Sequence, residues 1–162
     1  MERKMRRFRQ ELSKEESLEI LKNGKVAVIA VAGDDGYPYA VPLNYVYADG
    51  FIYFHSALQG HKIDALRRNP KCSVCVIERD EVVPERFTSF YRSVIAFGTA
   101  EFITSPEEKI TPLRLLGDKY SPGIDPEAEI SKGLNSLLII RIKLESITGK
   151  EAIELTRIRN QQ

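Results

Sequence analysis

The sequence has little of what disulfide-rich, metal-binding or membrane proteins depend on. Its 162 residues include two cysteines, two histidines and no tryptophan. No apolar run is long enough to span a bilayer, and residues 1–14 lack the apolar segment of a secretory signal. A formal net charge of +1 gives no general attraction to nucleic acid or to an anionic membrane. These absences predict one globular domain in a reducing, cytoplasmic compartment, with neither nucleic acid nor membrane as a partner.

Cys72 and Cys75 have the CxxC spacing of some zinc and redox sites, but their neighbours favour a structural role. The segment CSVCVI is rich in β-branched residues and predicts a strand, in which residues three apart point to opposite faces. The sequence has no second CxxC or HxxxH pair to complete a tetrahedral site. His55 and His61 lack carboxylate partners at ligand spacing. We therefore predict two buried cysteines and no metal site.

Familiar catalytic and nucleotide-binding motifs are also missing. The sequence has no GxSxG for a nucleophilic serine, no GxGxxG and no P-loop. Nucleophilic catalysis and the nucleotide-binding folds that need a glycine-rich loop are therefore disfavoured.

The pattern of apolar and polar residues predicts a mainly β protein, a six-stranded antiparallel barrel with short flanking helices. The turn sequences DDG at 34–36 and DG at 49–50 join the first three strands into a meander. The predicted strands cover residues 25–32, 38–47, 51–56, 71–78, 89–104 and 136–147, and 79–88 is predicted to be a loop.

Capping patterns predict the helices and the ends of the domain. Ser13 to Glu16 form a capping box for a helix over 14–23, and Ser105 to Glu108 form a second one. Pro112 either kinks that second helix or opens another. Segment 1–12 is predicted to be a basic N-terminal arm, 13–150 the folded domain and 151–162 a mobile tail.

Pro42 lies in the middle of the second predicted strand. A proline cannot donate to a strand ladder, so it marks an edge strand or a bulge. Backbone amides freed beside Leu43, Asn44 and Tyr45 would suit a flat polar heterocycle. The alternative is an ordinary edge-strand proline.

The segment FIYFHSALQGHKIDALRRNP, residues 51–70, has the parts of a phosphate site. A strand ends at the Ser56 hydroxyl, a turn follows at Gly60, and His61 and Lys62 open a basic helix over 61–68. A hydroxyl, free amides at a helix start and a cation together bind phosphate. The residues alone leave open a plain hairpin exit followed by a basic surface helix.

The order of these motifs resembles the flavin-mononucleotide (FMN) split barrels related to pyridoxamine 5′-phosphate oxidase. The resemblance covers nearly the whole chain, including DDGYPYAVPLNYVYADG before the phosphate segment and NPKCSVCV after it. The stretches FHSA-x-x-GHK, YRSVIAFG and ITGKEA are most similar to the nitroimidazole-resistance branch of that family.

This resemblance implies a homodimer that binds FMN at two sites in the subunit interface. It places a histidine, His55, near the flavin ring, where it is the candidate catalytic residue. The phosphate-binding positions are Ser56, His61 and Lys62, the strand along the ring is Pro42, Leu43, Asn44 and Tyr45, and Arg92 and Ser93 are a cofactor-contacting pair.

The tail GKEAIELTRIRNQQ lacks the Arg-x-His segment with which the true oxidase holds its substrate phosphate. Oxidation of pyridoxamine phosphate is therefore not predicted. The main hypothesis is an FMN-dependent oxidoreductase acting on a small molecule, with a nitroaromatic substrate suggested by the resemblance. Two alternatives remain: a non-catalytic flavin or haem binder, and a barrel that binds nucleic acid through its arginine-rich arm.

Overall fold

A computed structural model describes residues 3–161, so Met1, Glu2 and Gln162 of the predicted arm and tail lie outside the described residues. Within 3–161 the strands are β1 (Ala27–Ala32), β2 (Pro38–Leu43), β3 (Val46–Ala48), β4 (Phe51–Ala57), β5 (Lys71–Val83), β6 (Thr88–Ile103) and β7 (Leu137–Glu151). They form a seven-stranded antiparallel sheet in the order β2-β1-β5-β6-β7-β4-β3. The mainly β class is confirmed, with seven strands in place of the predicted six.

Strand alternation places one face of the sheet in the core. In β4, Ile52, Phe54 and Ser56 are buried while His55 is exposed. The apolar run of β1 favours a strand buried on both faces, but only alternate residues of it are buried. Burying each large apolar side chain stabilises the fold by about 1.5–3 kcal/mol. The fully buried core includes Ile20, Leu21, Ile29, Tyr45, Ile52, Phe54, Ile63, Leu66, Val74, Ile139, Ile140 and Ile142.

The predicted strand 38–47 is wrong as a single element. It is two strands, β2 and β3, which lie at opposite edges of the sheet. Pro42 does lie on an edge strand, since β2 pairs only with β1. The chain therefore crosses from one edge to the other at Asn44 and Tyr45, and the expected three-stranded meander is two separate hairpins.

The predicted loop 79–88 is mostly strand. β5 continues to Val83, turns at 84–86, and returns as β6 from Thr88. Charged residues here lie on an exposed ladder, where Arg79 pairs with Glu81. The polarity of this segment favours a loop, but its backbone pairs across the hairpin, with Asp80 opposite Tyr91 and Glu81 opposite Phe90.

Five helices lie within residues 3–161. The first has the predicted capping box, with reciprocal bonds between Ser13 and Glu16. The second capping box is wrong, because the Ser105 hydroxyl donates to Glu107 and does not cap the helix, which continues through Pro112. None of these helices is long and apolar enough to cross a membrane. The helices are α1 (Lys14–Asn23), α2 (His61–Arg68), α3 (Pro106–Tyr120), α4 (Glu127–Gly133) and α5 (Ile153–Arg159).

Both ends of the chain are more ordered than the sequence suggests. β7 continues to Glu151, which is 3% exposed, and the expected tail forms α5. In the arm, the Gln10 side chain is buried and donates to the Glu151 carbonyl at 3.0 Å. The two termini therefore pack against each other at the end of β7.

Gly98 is a close-approach point, as predicted. It lies at a bulge between β6 and β7, and a Cβ there would collide with the Lys143 carbonyl. A glycine is therefore required where the long strand bends.

Candidate functional site

The candidate site is built from β2, at one edge of the sheet, and from β4 with the start of α2, which do not pair with β2. At one point, the rings of Tyr39 on β2 and His61 on α2 stack with centroids 4.1 Å apart. At a second point, Asn44, which follows β2, and His55 on β4 line the same cavity. Tyr39 and Asn44 are five residues apart, about 16 Å at the usual rise of a strand. We call the region between these two points the gap.

The start of α2 leaves backbone donors free. Gly60 precedes the helix with φ of 138°, a conformation that side-chain-bearing residues rarely adopt. No side chain caps this helix, and its first two internal bonds run from the Ile63 and Asp64 amides to the Gly60 carbonyl. Within residues 3–161 no backbone acceptor takes the amides of His61 and Lys62. Free amides at a helix N-terminus are a binding site for an anion.

Ser56 supplies a second unsatisfied donor close by in sequence. Its side chain is 5% exposed, and the hydroxyl oxygen has no hydrogen-bond partner. A buried hydroxyl without a partner costs about 1–3 kcal/mol. Lys62 is half-buried and forms no ion pair with any described residue. A hydroxyl, backbone amides at a helix start and an ammonium are the kinds of group that bind phosphate.

His61 is less available than the sequence suggests. Its ring is stacked on Tyr39, and its Nε2 lies 3.4 Å from the Asp34 carboxylate. Arg68 also pairs with Asp34, which offsets that negative charge beside the candidate phosphate site. The histidine is therefore fixed in place and contributes its backbone amide more readily than its side chain.

The four residues predicted to lie along the flavin ring do not share one face, because two of the side chains point outward and two point toward the core. Pro42 and Asn44 face outward, whereas Leu43 packs on the core and Tyr45 is fully buried. The Tyr45 amide is not free, because it donates to the Tyr120 hydroxyl at 2.9 Å. Burial also raises the pKa of the Tyr45 phenol, which donates to the Leu21 carbonyl. Tyr45 is thus a core residue.

Arg92 and Ser93 lie on opposite faces of β6, so they cannot form one contact surface. The Arg92 guanidinium is enclosed by carboxylates, with each of its three nitrogens 3.3–3.5 Å from one of them. These carboxylates belong to Glu16, Glu78 and Glu151. The Arg92 charge is therefore compensated within the fold, although its Nε makes no hydrogen bond, and Ser93 is half-exposed on the outer face.

Two tyrosines that the sequence analysis missed position the site. Tyr120, at the end of α3, hydrogen-bonds to the Lys25 and Tyr45 carbonyls at 2.6 and 2.8 Å. It thereby holds the crossing between the two sheet edges. Tyr39 supports His61. Neither contact has a local signal, since Tyr120 meets Tyr45 across 75 residues of sequence.

The two cysteines point to opposite faces of β5, as predicted, and both thiols are free. The prediction that both are buried is wrong for Cys75, which is half-exposed on the outer face, whereas Cys72 is buried. Burial raises the pKa of Cys72 to about 12 and also raises that of Cys75. Residues 3–161 contain no group of three or more side chains arranged to hold a metal ion.

Residues 13–151 match the family model described as pyridoxamine 5′-phosphate oxidase. A solved FAD-binding protein from Mesorhizobium loti is 30% identical, with a TM-score of 0.65, over 88% of this chain and 96% of that chain. Its identity and coverage are high enough to support the same family assignment.

Two more distant structures share the fold. A candidate 5-nitroimidazole antibiotic resistance protein from Bacteroides thetaiotaomicron VPI-5482 is 23% identical, with a TM-score of 0.73, over 87% of this chain and 86% of that one. The FAD and haem binding protein from Mycobacterium smegmatis is 24% identical, with a TM-score of 0.75, over 88% and 73%. The family resemblance inferred from the motifs is confirmed: this chain belongs to the pyridoxamine 5′-phosphate oxidase family.

Proposed function

We propose that the protein is an FMN-binding oxidoreductase that acts on a small molecule. The observation that carries this proposal is the set of unsatisfied donors at Ser56 and the α2 N-terminus, at one end of an elongated gap. Such donors match a terminal phosphate. The Mesorhizobium loti relative is described as FAD-binding, and FAD has the same flavin ring and ribityl phosphate as FMN.

Each part of the gap has a separate task in this proposal. Ser56, the His61 and Lys62 amides and the Lys62 ammonium would hold the phosphate, while Pro42 and Asn44 would border the ring. A bound flavin supplies the electron-transfer chemistry, and the chain supplies binding, orientation and electrostatics. His55 is exposed and has no hydrogen-bond partner among the described residues, so its imidazole is free to donate a proton to a substrate.

We also propose that a second copy of the chain covers the outer face of the sheet. Ile77, Ile95 and Phe97 are 46–61% exposed on neighbouring strands there, beside half-exposed Cys75 and Ser93. A contiguous apolar face of this kind is typical of an interface. Sedimentation of the purified protein should give the mass of a dimer, and Ile95→Glu should shift it toward the monomer. A parent that sediments as a monomer would contradict this part of the proposal.

Two measurements test the flavin assignment: the absorption spectrum of the purified protein and the amount of flavin that its variants retain. The purified protein should show flavin bands near ~370 and ~450 nm. The double variant Ser56→Ala, Lys62→Ala should lose the bound flavin while keeping its far-ultraviolet circular dichroism. Arg67→Ala, on the exposed side of the same helix, is the control and should stay yellow. A double variant that retains as much flavin as the parent would refute the phosphate site.

The same absorption spectrum distinguishes a flavin-binding protein from a haem-binding one. The Mycobacterium smegmatis structure that shares this fold binds FAD and haem, and this chain has His55 exposed in a cavity. A Soret band would favour haem binding. Bleaching of the flavin bands by a reduced nicotinamide would instead support an oxidoreductase and identify an electron donor.

A further inference from the structure

The chain crosses from one edge of the sheet to the other without a strand partner at Asn44 and Tyr45. β2 ends at Leu43 and β3 begins at Val46, so these two residues belong to neither strand. Tyr45 is fully buried, and its backbone groups need partners because unpaired polar groups inside a fold are costly. The last residues of α3 supply those partners.

The hydroxyl of Tyr120 takes the place of the missing strand partner. The Tyr45 amide donates to this hydroxyl at 2.9 Å, and the carbonyls of Tyr45 and Lys25 lie 2.8 and 2.6 Å from its oxygen. A hydroxyl has a single hydrogen, so it donates to one of these carbonyls at a time. Tyr120 therefore joins the crossing to the segment that follows α1.

Lys119 contacts the same junction. Its ammonium donates to the Gly24 carbonyl at 2.6 Å and lies 4.1 Å from the centroid of the Tyr45 ring. Gly24 is the C-cap of α1, where carbonyls lack helical partners and a cation is favourable. Burial lowers the pKa of Lys119 to about 8, and the ammonium forms no ion pair with any described residue. Its contacts are therefore with the backbone and the aromatic ring of this junction.

The junction also fixes the side-chain amide of Asn44. Asn44 Nδ2 donates at 3.1 Å to the Lys25 carbonyl, the same group that contacts the Tyr120 hydroxyl. A carbonyl oxygen only accepts, so the amide nitrogen must face it and Oδ1 must lie on the other side of the amide. No described residue donates a hydrogen bond to this Oδ1. Asn44, His55 and Tyr120 line one cavity of about 520 Å³, so a free acceptor is available there.

We propose that Lys119 and Tyr120 are positioning residues, which hold Asn44 so that its Oδ1 atom accepts a hydrogen bond from an N–H group of the ring bound in the gap. That this ring is a flavin rests on the proposed function. The oxidised flavin ring has a single N–H group, at its N3 atom, so the hydrogen bond identifies the edge of the ring that Asn44 contacts. Lys119 and Tyr120 act through the crossing and need not touch the ring.

Two flavins that differ only at this N–H group test the acceptor: FMN and 3-methyl-FMN. In titrations followed by flavin fluorescence, the flavin-free parent should bind FMN about 3- to 10-fold more tightly, which is the effect of one ordinary hydrogen bond. Asn44→Ala removes the acceptor and should bind both flavins equally. Equal binding by the parent, or a preference that persists in Asn44→Ala, would overturn the hydrogen bond.

A double-mutant cycle separates positioning from a purely structural role. Tyr120→Phe and Lys119→Met should each reduce the preference for FMN by about twofold or more, and should have no further effect on it in the Asn44→Ala background. Residues that only stabilise the fold would instead weaken the binding of both flavins in both backgrounds. That second result would overturn the positioning role.

Two matched substitutions away from the junction are the controls. Tyr47→Phe removes a hydroxyl on β3 that borders a different cavity, and Lys22→Met removes an exposed ammonium in the last turn of α1. Both variants should keep the parent's preference for FMN. Circular dichroism should show that every variant keeps the parent's secondary structure.

A measurement without flavin tests the positioning directly. In the proton–nitrogen-15 correlation spectrum of the flavin-free protein, the side-chain amide signals of Asn44 should shift in Tyr120→Phe and in Lys119→Met but not in the two controls. Unchanged signals would overturn the positioning role. Failure of the parent to bind either flavin would refute the proposed function and the flavin hydrogen bond together, whereas equal binding of the two flavins would refute the hydrogen bond alone.

Discussion

Two polar clusters in this molecule differ in how their charges are compensated. Around Ser56 and the start of α2, a buried hydroxyl, two backbone amides and an ammonium lack partners. Around Arg92, each guanidinium nitrogen lies 3.3–3.5 Å from a carboxylate, although Arg92 Nε and Glu151 Oε1 make no hydrogen bond. Sequence similarity assigned both clusters to the cofactor. The structure separates them, because the Arg92 charge is compensated by carboxylates within the fold, whereas the Lys62 charge forms no ion pair with any described residue.

The Arg92 cluster joins parts of the chain that are remote in sequence. Arg92 and Arg159 share the carboxylates of Glu16 and Glu151, which ties α1, β6, β7 and α5 together. Glu151 is almost fully buried, so its charge must be compensated within the fold. We infer a structural role for this cluster and a binding role for the other.

The largest expected effect on stability follows from removing Arg92 from the three carboxylates around it. Arg92→Met leaves Glu151 with Arg159 as its remaining partner and adds repulsion among three carboxylates. We expect a loss of about 2 kcal/mol in the free energy of unfolding, measured by urea titration, because one partner of a buried ion pair is removed. Flavin content per folded molecule should not change.

The control is an ion pair of similar chemistry at the surface. Arg114→Met breaks the exposed contact with Glu127 and should leave the free energy of unfolding almost unchanged, because solvent screens this pair. If Arg92→Met kept full stability but lost flavin, Arg92 would be a flavin-binding residue and its structural role would be refuted.

A substitution at Ser56 should change the stability of the flavin-free protein in the opposite direction. Ser56→Ala removes a buried hydroxyl that has no partner, so the flavin-free protein should gain on the order of 1 kcal/mol in the free energy of unfolding. With flavin added, the variant should bind it more weakly than the parent. Both values come from urea titrations with and without flavin. Destabilisation of the flavin-free variant would mean that the hydroxyl has a structural partner.

A smaller effect concerns pH. Burial raises the pKa of Glu16, but hydrogen bonds from the Ser13 amide and from Arg159 outweigh it, so the pKa lies below the ordinary value of 4.5. A carboxyl whose pKa is lowered in the folded state stabilises the fold above its unfolded pKa, and that stability is lost as the pH falls through the folded pKa. Glu16→Gln should therefore show a shallower loss of stability below about pH 4.5.

Urea midpoints measured between pH 7 and pH 3 test this expectation. Glu15→Gln, at the neighbouring exposed position, is the matched control and should follow the parent curve. Identical curves for all three proteins would show that the Glu16 ion pairs contribute nothing to acid stability.

Local chemistry was enough to predict many elements of this fold. The Ser13 capping box starts α1, and the residue before Pro70 ends α2, because both depend on neighbours in sequence. The alternation in β4 puts Ser56 and His55 on opposite faces, and burial in the fold decides that Ser56 lies inside. The lengths of elements are less well predicted, because charged residues favour a loop at 79–88, where a hairpin forms, and a tail after residue 150, where α5 forms.

The sequence by itself determined the mainly β class, the order of β4 and α2 and the family, because these follow from short-range periodicity and motif order. The tertiary structure alone decided which polar groups are free. Only folding brings Glu16, Glu78 and Glu151 around Arg92, and only folding leaves Ser56 without a partner. Whether a donor is available depends on every acceptor within reach, and those acceptors lie many residues away along the chain.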